Sequence, residues 1–211
     1  MYVPQPFAVP DPDTWAAAFI ARHGFASLTV AAEGRLDSVP LPCVRETGPT
    51  GARLIAHVAR ANPIWKAFGA SEVLVQFHGA NCYVSPDWYQ TAHMVPTWNY
   101  EAVHVYGVPR LLEGEEDVLR VLAALSARYE ADLLPKTPWT LDKMPPDLLR
   151  KLLRGIVAFE IPVARLEVKR KLSQNRSPAD RAGVVAALRQ RPDENSHVIA
   201  VTMAKLEETA G

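Results

Sequence analysis

The sequence predicts a mainly β protein with helices, an α+β chain built on an antiparallel barrel. Apolar segments of strand length recur through much of the first half, and most are joined by short connections. Helical patterns cluster late in the chain. Short connections favour antiparallel neighbours, so we expect a barrel with helices gathered at its ends.

The first elements are bounded by proline and glycine. A helix is predicted at 11–23 and a hairpin of strands at 25–32 and 35–44, with Glu33-Gly34 as its turn. Proline cannot donate to a sheet ladder, so Pro40 and Pro42 indicate an edge, a bulge or an opening of the sheet. A ligand can reach backbone groups at such a place.

The remaining elements follow from apolar periodicity and from turn residues. Strands are predicted at 52–58, 71–78, 80–85, 98–112 and 156–169, and helices at 63–68, 115–129, 147–154, 178–189 and 196–208. Pro162 and Ala164 predict a bend in the last strand. We predict a single domain over 1–211, with 1–24 as a helical lead-in and 171–211 as a loop and helices packed on the barrel.

Composition excludes several classes of protein. Of 211 residues, 48% are hydrophobic and 22% charged, which is ordinary for a globular protein. Lys plus Arg and Asp plus Glu are both 23, so the chain lacks the basic excess usual in DNA-binding domains. No apolar run approaches the ~20 residues of a membrane span, and the N-terminus lacks signal-peptide features. We therefore expect a cytoplasmic protein with no membrane partner.

Motifs for metal binding and nucleophilic catalysis are absent from the sequence. Six histidines occur without HExxH, and Cys43 and Cys82 have no CxxC spacing. No P-loop, GxGxxG or GxSxG occurs. The sequence therefore predicts no metal site and no catalytic side chain, and the cysteines are expected to be reduced core residues.

Residues 95–106 combine flat apolar groups with hydrogen-bonding groups. Trp98, Asn99, Tyr100 and His104 lie within seven positions, which suits a planar polar ligand. The alternative is a strand entry in which Trp98 and Tyr100 are buried and Asn99 caps a turn. These residues alone leave both interpretations open.

Two further stretches could hold an anion. Residues 57–63 lead from a strand to a helix start, where free N–H groups with Arg60 and Lys66 could bind a phosphate. Alternatively Asn62 only caps the helix and Arg60 is solvated. The loop 171–176 holds two cations and three neutral hydrogen-bonding side chains, and it is either a ligand clamp or a hydrated turn.

Together these stretches resemble a known family. The segments are VPTWNYEAVHVYG (95–107), HVARANP (57–63), QFHGANCYVSPDWY (76–89), SVPLP (38–42), KLSQNR (171–176) and the start MYVPQPF. They resemble the PaiB-type FMN-binding negative transcriptional regulators, in the right order over nearly the whole chain. The resemblance implies an antiparallel split β-barrel of the flavin reductase or pyridoxamine-phosphate oxidase type, with C-terminal helices. It also implies a homodimer with FMN between subunits, and repression of genes for sporulation and degradative enzymes.

The resemblance also implies which residues bind FMN. One set lines the isoalloxazine ring, a second holds the ribityl and phosphate groups, a third closes the site from the partner subunit or the same one, and a fourth supplies charge and an amide. In that order they are Pro40, Leu41 and Pro42; His57, Val58, Ala59 and Asn62; Trp98, Asn99 and Tyr100; and Lys171 and Gln174.

Two functions besides a flavin-free sensor are compatible with these predictions. The first is an FMN-binding homodimeric regulator, with DNA as a candidate partner. Its late helices lack a convincing helix-turn-helix, because Lys205 is the only Lys or Arg in the second of them. The alternative is a flavin-dependent oxidoreductase that passes electrons from NAD(P)H to a small acceptor.

Overall fold

The computed structural model describes residues 1–208. Its strands are β1 (Phe25–Ala32), β2 (Arg35–Pro42), β3 (Val44–Gly48), β4 (Gly51–Ala59), β5 (Val73–Val84), β6 (Thr97–Gly107), β7 (Arg110–Leu112), β8 (Ile156–Pro162) and β9 (Arg165–Lys171). Its helices are α1 (Pro12–Arg22), α2 (Glu115–Glu130), α3 (Pro146–Leu153), α4 (Pro178–Arg189) and α5 (Glu194–Glu208).

The strands form two sheets, with the orders β2-β1-β5-β6-β9 and β3-β4-β8-β7. The pairs β1–β2, β1–β5, β3–β4, β4–β8 and β7–β8 are all antiparallel. This confirms the predicted fold class of antiparallel sheets with helices. Two predicted strands, 71–78 and 80–85, are one continuous strand, β5.

Two predicted strands are each divided between the sheets. Residues 98–112 form β6 in one sheet and β7 in the other, and 156–169 form β8 and β9 in the same way. The two crossings meet at Gly107, where an added Cβ would lie 2.1 Å from the carbonyl oxygen of Pro162. Only glycine fits this approach. The bend predicted from Pro162 is therefore a change of sheet.

The chain divides into two compact units. Unit 1 contains residues 1–16, 78–103 and the chain from 167 onward, and unit 2 contains 17–77 and 104–166. The single domain over 1–211 stays a prediction, and residues 209–211 of it lie outside the described part of the chain.

The core of unit 2 lies between β4, β8 and α2. Val121 and Leu125 of α2 are buried against Ile55 and Ala158, which lie on the neighbouring strands β4 and β8. The helix predicted at 115–129 is therefore amphipathic, because Val121 and Leu125 lie on one side of it and shield both strands from water. Pro40 belongs to the same unit and lies on β2, an edge strand of its sheet. Of the edge, bulge and opening that its proline left possible, the structure has the edge.

The core of unit 1 is formed by α4 and α5 on one end of β5. Its buried members include Cys82, Val84, Leu172, Val184, Leu188, Ile199 and Met203. Ser177 caps α4 by accepting the N–H of Asp180 at 3.2 Å, so the predicted helix start is present. The helices at 178–189 and 196–208 were therefore predicted within two residues of their ends.

A buried carboxylate also fixes a loop of unit 1. Asp180 accepts the N–H groups of Thr91 and Gln90 at 2.9 and 2.8 Å, and the hydroxyl of Ser177 at 2.8 Å. The hydrogen bond from the Thr91 backbone is the main cause that lowers the pKa of Asp180 to about 2. The segment after Trp88 is thereby tied to the first turn of α4.

Candidate functional site

In unit 2, the outer face of the β1–β2 hairpin is uncharged. Strand alternation and register place eight side chains on it: Phe25, Ser27, Thr29, Ala31, Leu36, Ser38, Pro40 and Pro42. Phe25 and Leu36 are 68% and 77% exposed. We call these residues the uncharged face. It includes two predicted ring-lining residues, whereas the third, Leu41, is buried on the opposite side.

His57 holds a buried polar atom that has no partner. Its Nδ1 makes no hydrogen bond within residues 1–208, although the atom is buried. Burial also lowers the pKa of His57, so the ring is neutral at pH 7. A neutral imidazole nitrogen can donate or accept, and it would be satisfied by a polar ligand atom. The next residues of β4 are Val58, which is buried, and Ala59, which is exposed.

The predicted phosphate turn is smaller than expected. Asn62 caps it as predicted, accepting the N–H of Ile64 at 3.0 Å, but the helix is a five-residue 3-10 turn, Pro63–Ala67. Arg60 donates from Nε to the carbonyl of Arg154 at 2.8 Å and from Nη2 to that of Ile156 at 2.9 Å. The prediction that Arg60 serves a phosphate is thus not supported by its geometry. Lys66 is the remaining cation of this stretch.

A cavity of about 500 Å³ adjoins this turn in unit 2. It is lined by the end of the β1–β2 hairpin and by the turn, and two of its lining residues, Arg35 and Lys66, are cations. The carboxylates Glu33 and Asp37 also line it. Sequence analysis missed Arg35, because its role depends on where the hairpin lies relative to the turn.

In unit 1, the stretches 97–100 and 171–174 contact each other. Asn99 is fully buried and donates from Nδ2 to Ser173 Oγ at 3.0 Å. Ser173 has a φ of +64°, a left-handed conformation that is rare outside glycine and asparagine. Asn99 is therefore a tie between β6 and the loop after β9. It does not cap a turn, and Trp98 beside it is 52% exposed rather than buried.

Lys171 and Gln174 also make contacts within unit 1. Lys171 Nζ donates to the Trp98 carbonyl at 2.8 Å and to the Thr97 hydroxyl. Gln174 accepts the N–H of Leu172 at 2.7 Å and donates to the carbonyl of Arg170 at 2.6 Å. The Gln174 amide thus shapes the loop in this conformation, while Lys171 holds the start of β6.

Three cations of unit 1 have no acidic partner. Burial lowers the pKa of Lys171, and so do the nearby charges of Lys169 and Arg176. None of the three forms an ion pair with a carboxylate in the described part of the chain. By contrast, Arg170 between them in sequence pairs with Glu101 at 2.7 Å. Lys169 was missed by sequence analysis, although the two-residue period of a strand places it beside Lys171.

Aromatic side chains share the face that carries these lysines. Along β6, Trp98 and Tyr100 alternate with buried Asn99, and on β5 Tyr83 alternates with buried Cys82 and Val84. The rings of Tyr83 and Trp98 meet edge to face with centroids 6.1 Å apart. Lys169 Nζ lies 5.5 Å from the Tyr100 ring centroid. We call Tyr83, Trp98, Tyr100, Lys169 and Lys171, together with Arg176 on the loop near Lys171, the aromatic–cationic face.

Two further classes of site were searched for in residues 1–208. No three His, Cys, Asp or Glu side chains are grouped so that they could hold a metal ion. No helix in that range combines the length and apolar character needed to cross a bilayer.

Comparison with known proteins gives consistent results. Residues 1–165 match the family model FMN_bind_2, described as "Putative FMN-binding domain". The chain is 34% identical over 205 residues to "Protease synthase and sporulation protein PAI 2" of Bacillus subtilis, and the match covers 96% of each chain.

Solved structures of flavin proteins have the same fold. The flavocytochrome Anf3 of Azotobacter vinelandii has a TM-score of 0.57 and 16% identity, covering 89% of this chain and 73% of that one. The FAD and heme binding protein of Mycobacterium smegmatis has a TM-score of 0.56 and 14% identity, covering 75% and 70%. At such identities the likeness concerns the fold alone.

The residues present fit a flavin nucleotide. An uncharged wall suits a flat ring, and the unpartnered Nδ1 of His57 suits a polar ligand atom. Lys66 and Arg35 offer cations to a phosphate, although Glu33 and Asp37 line the same cavity and offset their charge. With the family match and the relative at 34% identity, these observations establish that the chain belongs to the PaiB-type family of FMN-binding domains, with FMN as its cofactor.

Proposed function

We propose that this protein is an FMN-binding homodimer of the negative-regulator type, with the flavin held at the subunit interface. FMN, when bound, supplies reversible one- and two-electron transfer. The observation that carries the proposal is the uncharged face of unit 2, because it offers a wall for the ring and an exposed apolar surface in the same place. Exposed apolar patches of this kind mark protein interfaces.

The unit 2 residues have distinct proposed roles. Pro40 and Pro42 contact the ring, and buried Leu41 fixes their strand. His57 Nδ1 bonds a polar atom of the cofactor, and Val58 and Ala59 present the end of β4. Asn62 holds the turn that carries Lys66, which faces the phosphate.

The unit 1 residues are proposed for the same cofactor in two groups. Trp98, Tyr100 and Lys171 close the flavin site from the partner subunit, without stacking on the isoalloxazine ring. Asn99 and Gln174 act by holding these residues in position, because their amides are already hydrogen-bonded within the unit.

Fluorescence titration of FMN tests the binding site. We expect FMN fluorescence to be quenched by the native protein, and His57→Leu to weaken binding about tenfold, the cost of losing a buried hydrogen bond to a ligand. His197→Leu, an exposed histidine of α5, is the matched control. Equal affinity of the His57 and His197 variants would remove His57 from the site.

The regulatory role rests on the family and on the printed name of the Bacillus relative. We propose that regulation is exerted through the flavin and a partner rather than by direct reading of DNA, because α5 carries only Lys205 as a Lys or Arg. Gel retardation of the gene's own upstream DNA at increasing salt tests this. Retardation that weakens steeply with salt would show direct binding.

The second candidate is an oxidoreductase that passes electrons from NAD(P)H to a small acceptor, because bound FMN would supply both electron-transfer steps. FMN-dependent oxidation of NADPH by the purified protein is expected if this candidate holds. An equal rate with free FMN alone would exclude it. A cytoplasmic location stays a prediction in both cases.

A further inference from the structure

The aromatic–cationic face combines two features that a folded chain usually avoids. Charges on neighbouring strands are normally offset, as Arg170 is offset by Glu101 at 2.7 Å. Within residues 1–208, Lys169, Lys171 and Arg176 form no ion pair with a carboxylate, and Lys169 and Arg176 are close enough to Lys171 to lower its pKa. Beside them Trp98 is 52% exposed and Tyr83 is 42% exposed. An uncompensated positive field thus lies next to uncovered rings.

We propose that the aromatic–cationic face of unit 1 binds a small aromatic anion other than FMN, with its ring on Trp98 and its carboxylate or phosphate on Lys169, Lys171 and Arg176. Tyr83 holds the Trp98 ring at its edge, with centroids 6.1 Å apart, so the indole is already oriented. This inference rests on the proposed function in one respect, because the aromatic anion would be the reaction partner or the effector of the bound flavin.

The geometry explains why the anion must be small. The three cations lie on one strand, β9, and on the loop that follows it. Lys169 also donates to the Tyr2 carbonyl at 3.1 Å, and the Arg176 guanidinium stacks 5.4 Å from the Tyr89 ring. A nucleic acid needs a longer basic track, and the chain has no net positive charge to supply one.

The contacts of Lys171 explain why this face is formed in advance. Its Nζ donates to the carbonyl of Trp98, and the neighbouring Asn99 is tied to Ser173. The Lys171 ammonium and the Trp98 backbone are therefore held by one connected set of hydrogen bonds. Pre-formed groups of this kind lose little conformational entropy when a ligand binds.

Isothermal titration of the FMN-saturated protein with 1-naphthyl phosphate tests the proposal. We expect one site per chain, with flavin absorbance showing that FMN stays bound. Cyclohexyl phosphate, which has the charge without the flat ring, should bind at least about tenfold more weakly because stacking is lost. Inorganic phosphate should give no measurable heat at the same concentration.

Variants separate the roles of charge and ring. Lys169→Ala and Arg176→Ala should each weaken 1-naphthyl phosphate binding about three- to fivefold, as expected for partly exposed charges. Trp98→Leu should weaken it about tenfold. Arg189→Ala removes an exposed cation from α4 of the same unit and should have no effect. Unchanged thermal unfolding of each variant shows that the effect is local.

Three results would overturn the proposal. Displacement of FMN by 1-naphthyl phosphate would assign the face to the flavin itself. Equal binding of the naphthyl and cyclohexyl phosphates, or tighter binding of oligothymidylate, would remove the aromatic small-molecule site. The titration is repeated on FMN-free protein, so that a failure to bind FMN, which concerns the proposed function, is distinguished from a failure of this site.

Discussion

The two faces described above are built in the same way and differ in charge. Strand β1 of the uncharged face, and β5 and β6 of the aromatic–cationic face, bury alternate residues on their other side. The first has no charged member among eight, and the second has three cations without an acidic partner. The difference teaches that strand alternation creates an exposed surface in both places. The side chains on that surface then decide whether it suits a flat neutral ring or an anion.

Arg60 and Lys171, which both lie in segments that resemble the family, also differ in whether their charge is offset. Arg60 and Lys171 both donate to backbone carbonyls. The Arg60 guanidinium bonds the carbonyl of Arg154 at the C-terminal end of α3, where the helix dipole is negative and offsets its charge. Lys171 instead lies near two further cations. A cation can thus be hydrogen-bonded to backbone carbonyls and still present an unbalanced charge.

The largest expected effect comes from adding charge to the uncharged face. Leu36→Asp should weaken dimerisation at least about 30-fold, because a carboxylate would replace an exposed apolar side chain of the proposed subunit interface. Leu133→Asp, at another exposed leucine of unit 2, is the control. Sedimentation equilibrium of both variants is the measurement. Equal association of the two would mean that this face is not the subunit contact.

Removing the tie beneath the aromatic–cationic face should have the next largest effect. Asn99→Ala leaves the Ser173 hydroxyl buried without its partner and should lower the free energy of unfolding by about 2 kcal/mol. It should also weaken aromatic-anion binding, because Trp98 loses its support. Urea unfolding and the naphthyl phosphate titration measure the two effects. A stable variant with weakened FMN binding would show instead that Asn99 contacts the flavin.

Arg60 and Lys66, the two cations near the predicted phosphate turn, should differ in their effects on stability and on FMN affinity. Arg60→Met should lower the free energy of unfolding by about 1 kcal/mol while changing FMN affinity less than about threefold, because its hydrogen bonds are structural. Lys66→Met should weaken FMN binding about three- to fivefold without loss of stability. Urea unfolding and FMN titration of both variants test this. The reverse pattern would return the phosphate contact to Arg60.

The smallest expected effect concerns acid stability. The pKa of Asp180 is lowered to about 2, so its contribution to stability is complete above the pKa of about 4 in the unfolded chain and is lost as the pH falls towards 2. Asp180→Asn should flatten this part of the stability profile, measured by thermal unfolding between these pH values. An unchanged profile would mean that Asp180 is not the group responsible.

Most strands were predictable because their signals are local. Alternation and turn residues identified the hairpin, and two prolines indicated an edge, a bulge or an opening, of which the structure has the edge. The divisions at 107–110 and 162–165 were not predictable in full, because period-two alternation continues through a change of sheet. Gly107 carried a signal only once the Pro162 carbonyl was known to lie against it.

The site was partly predictable for a similar reason. Segments such as 57–62 and 98–100 were singled out because the resemblance depends on contiguous residues, and their role in the site stays a prediction. The partners of Arg60 lie 94 and 96 positions away, so no local pattern could have shown that its charge is already used. Tyr83 and Lys169 were missed because their place on one face depends on the order of β5, β6 and β9 in the sheet.

The central claim is that two copies of this chain hold FMN at their interface. Sedimentation velocity of the FMN-loaded protein, followed at the flavin absorbance band, tests it most directly. The account predicts that the flavin sediments with a particle of two chains, and that Leu36→Asp moves both protein and flavin to slower boundaries. Flavin that sediments with a single chain, or stays free beside a dimer, would contradict it.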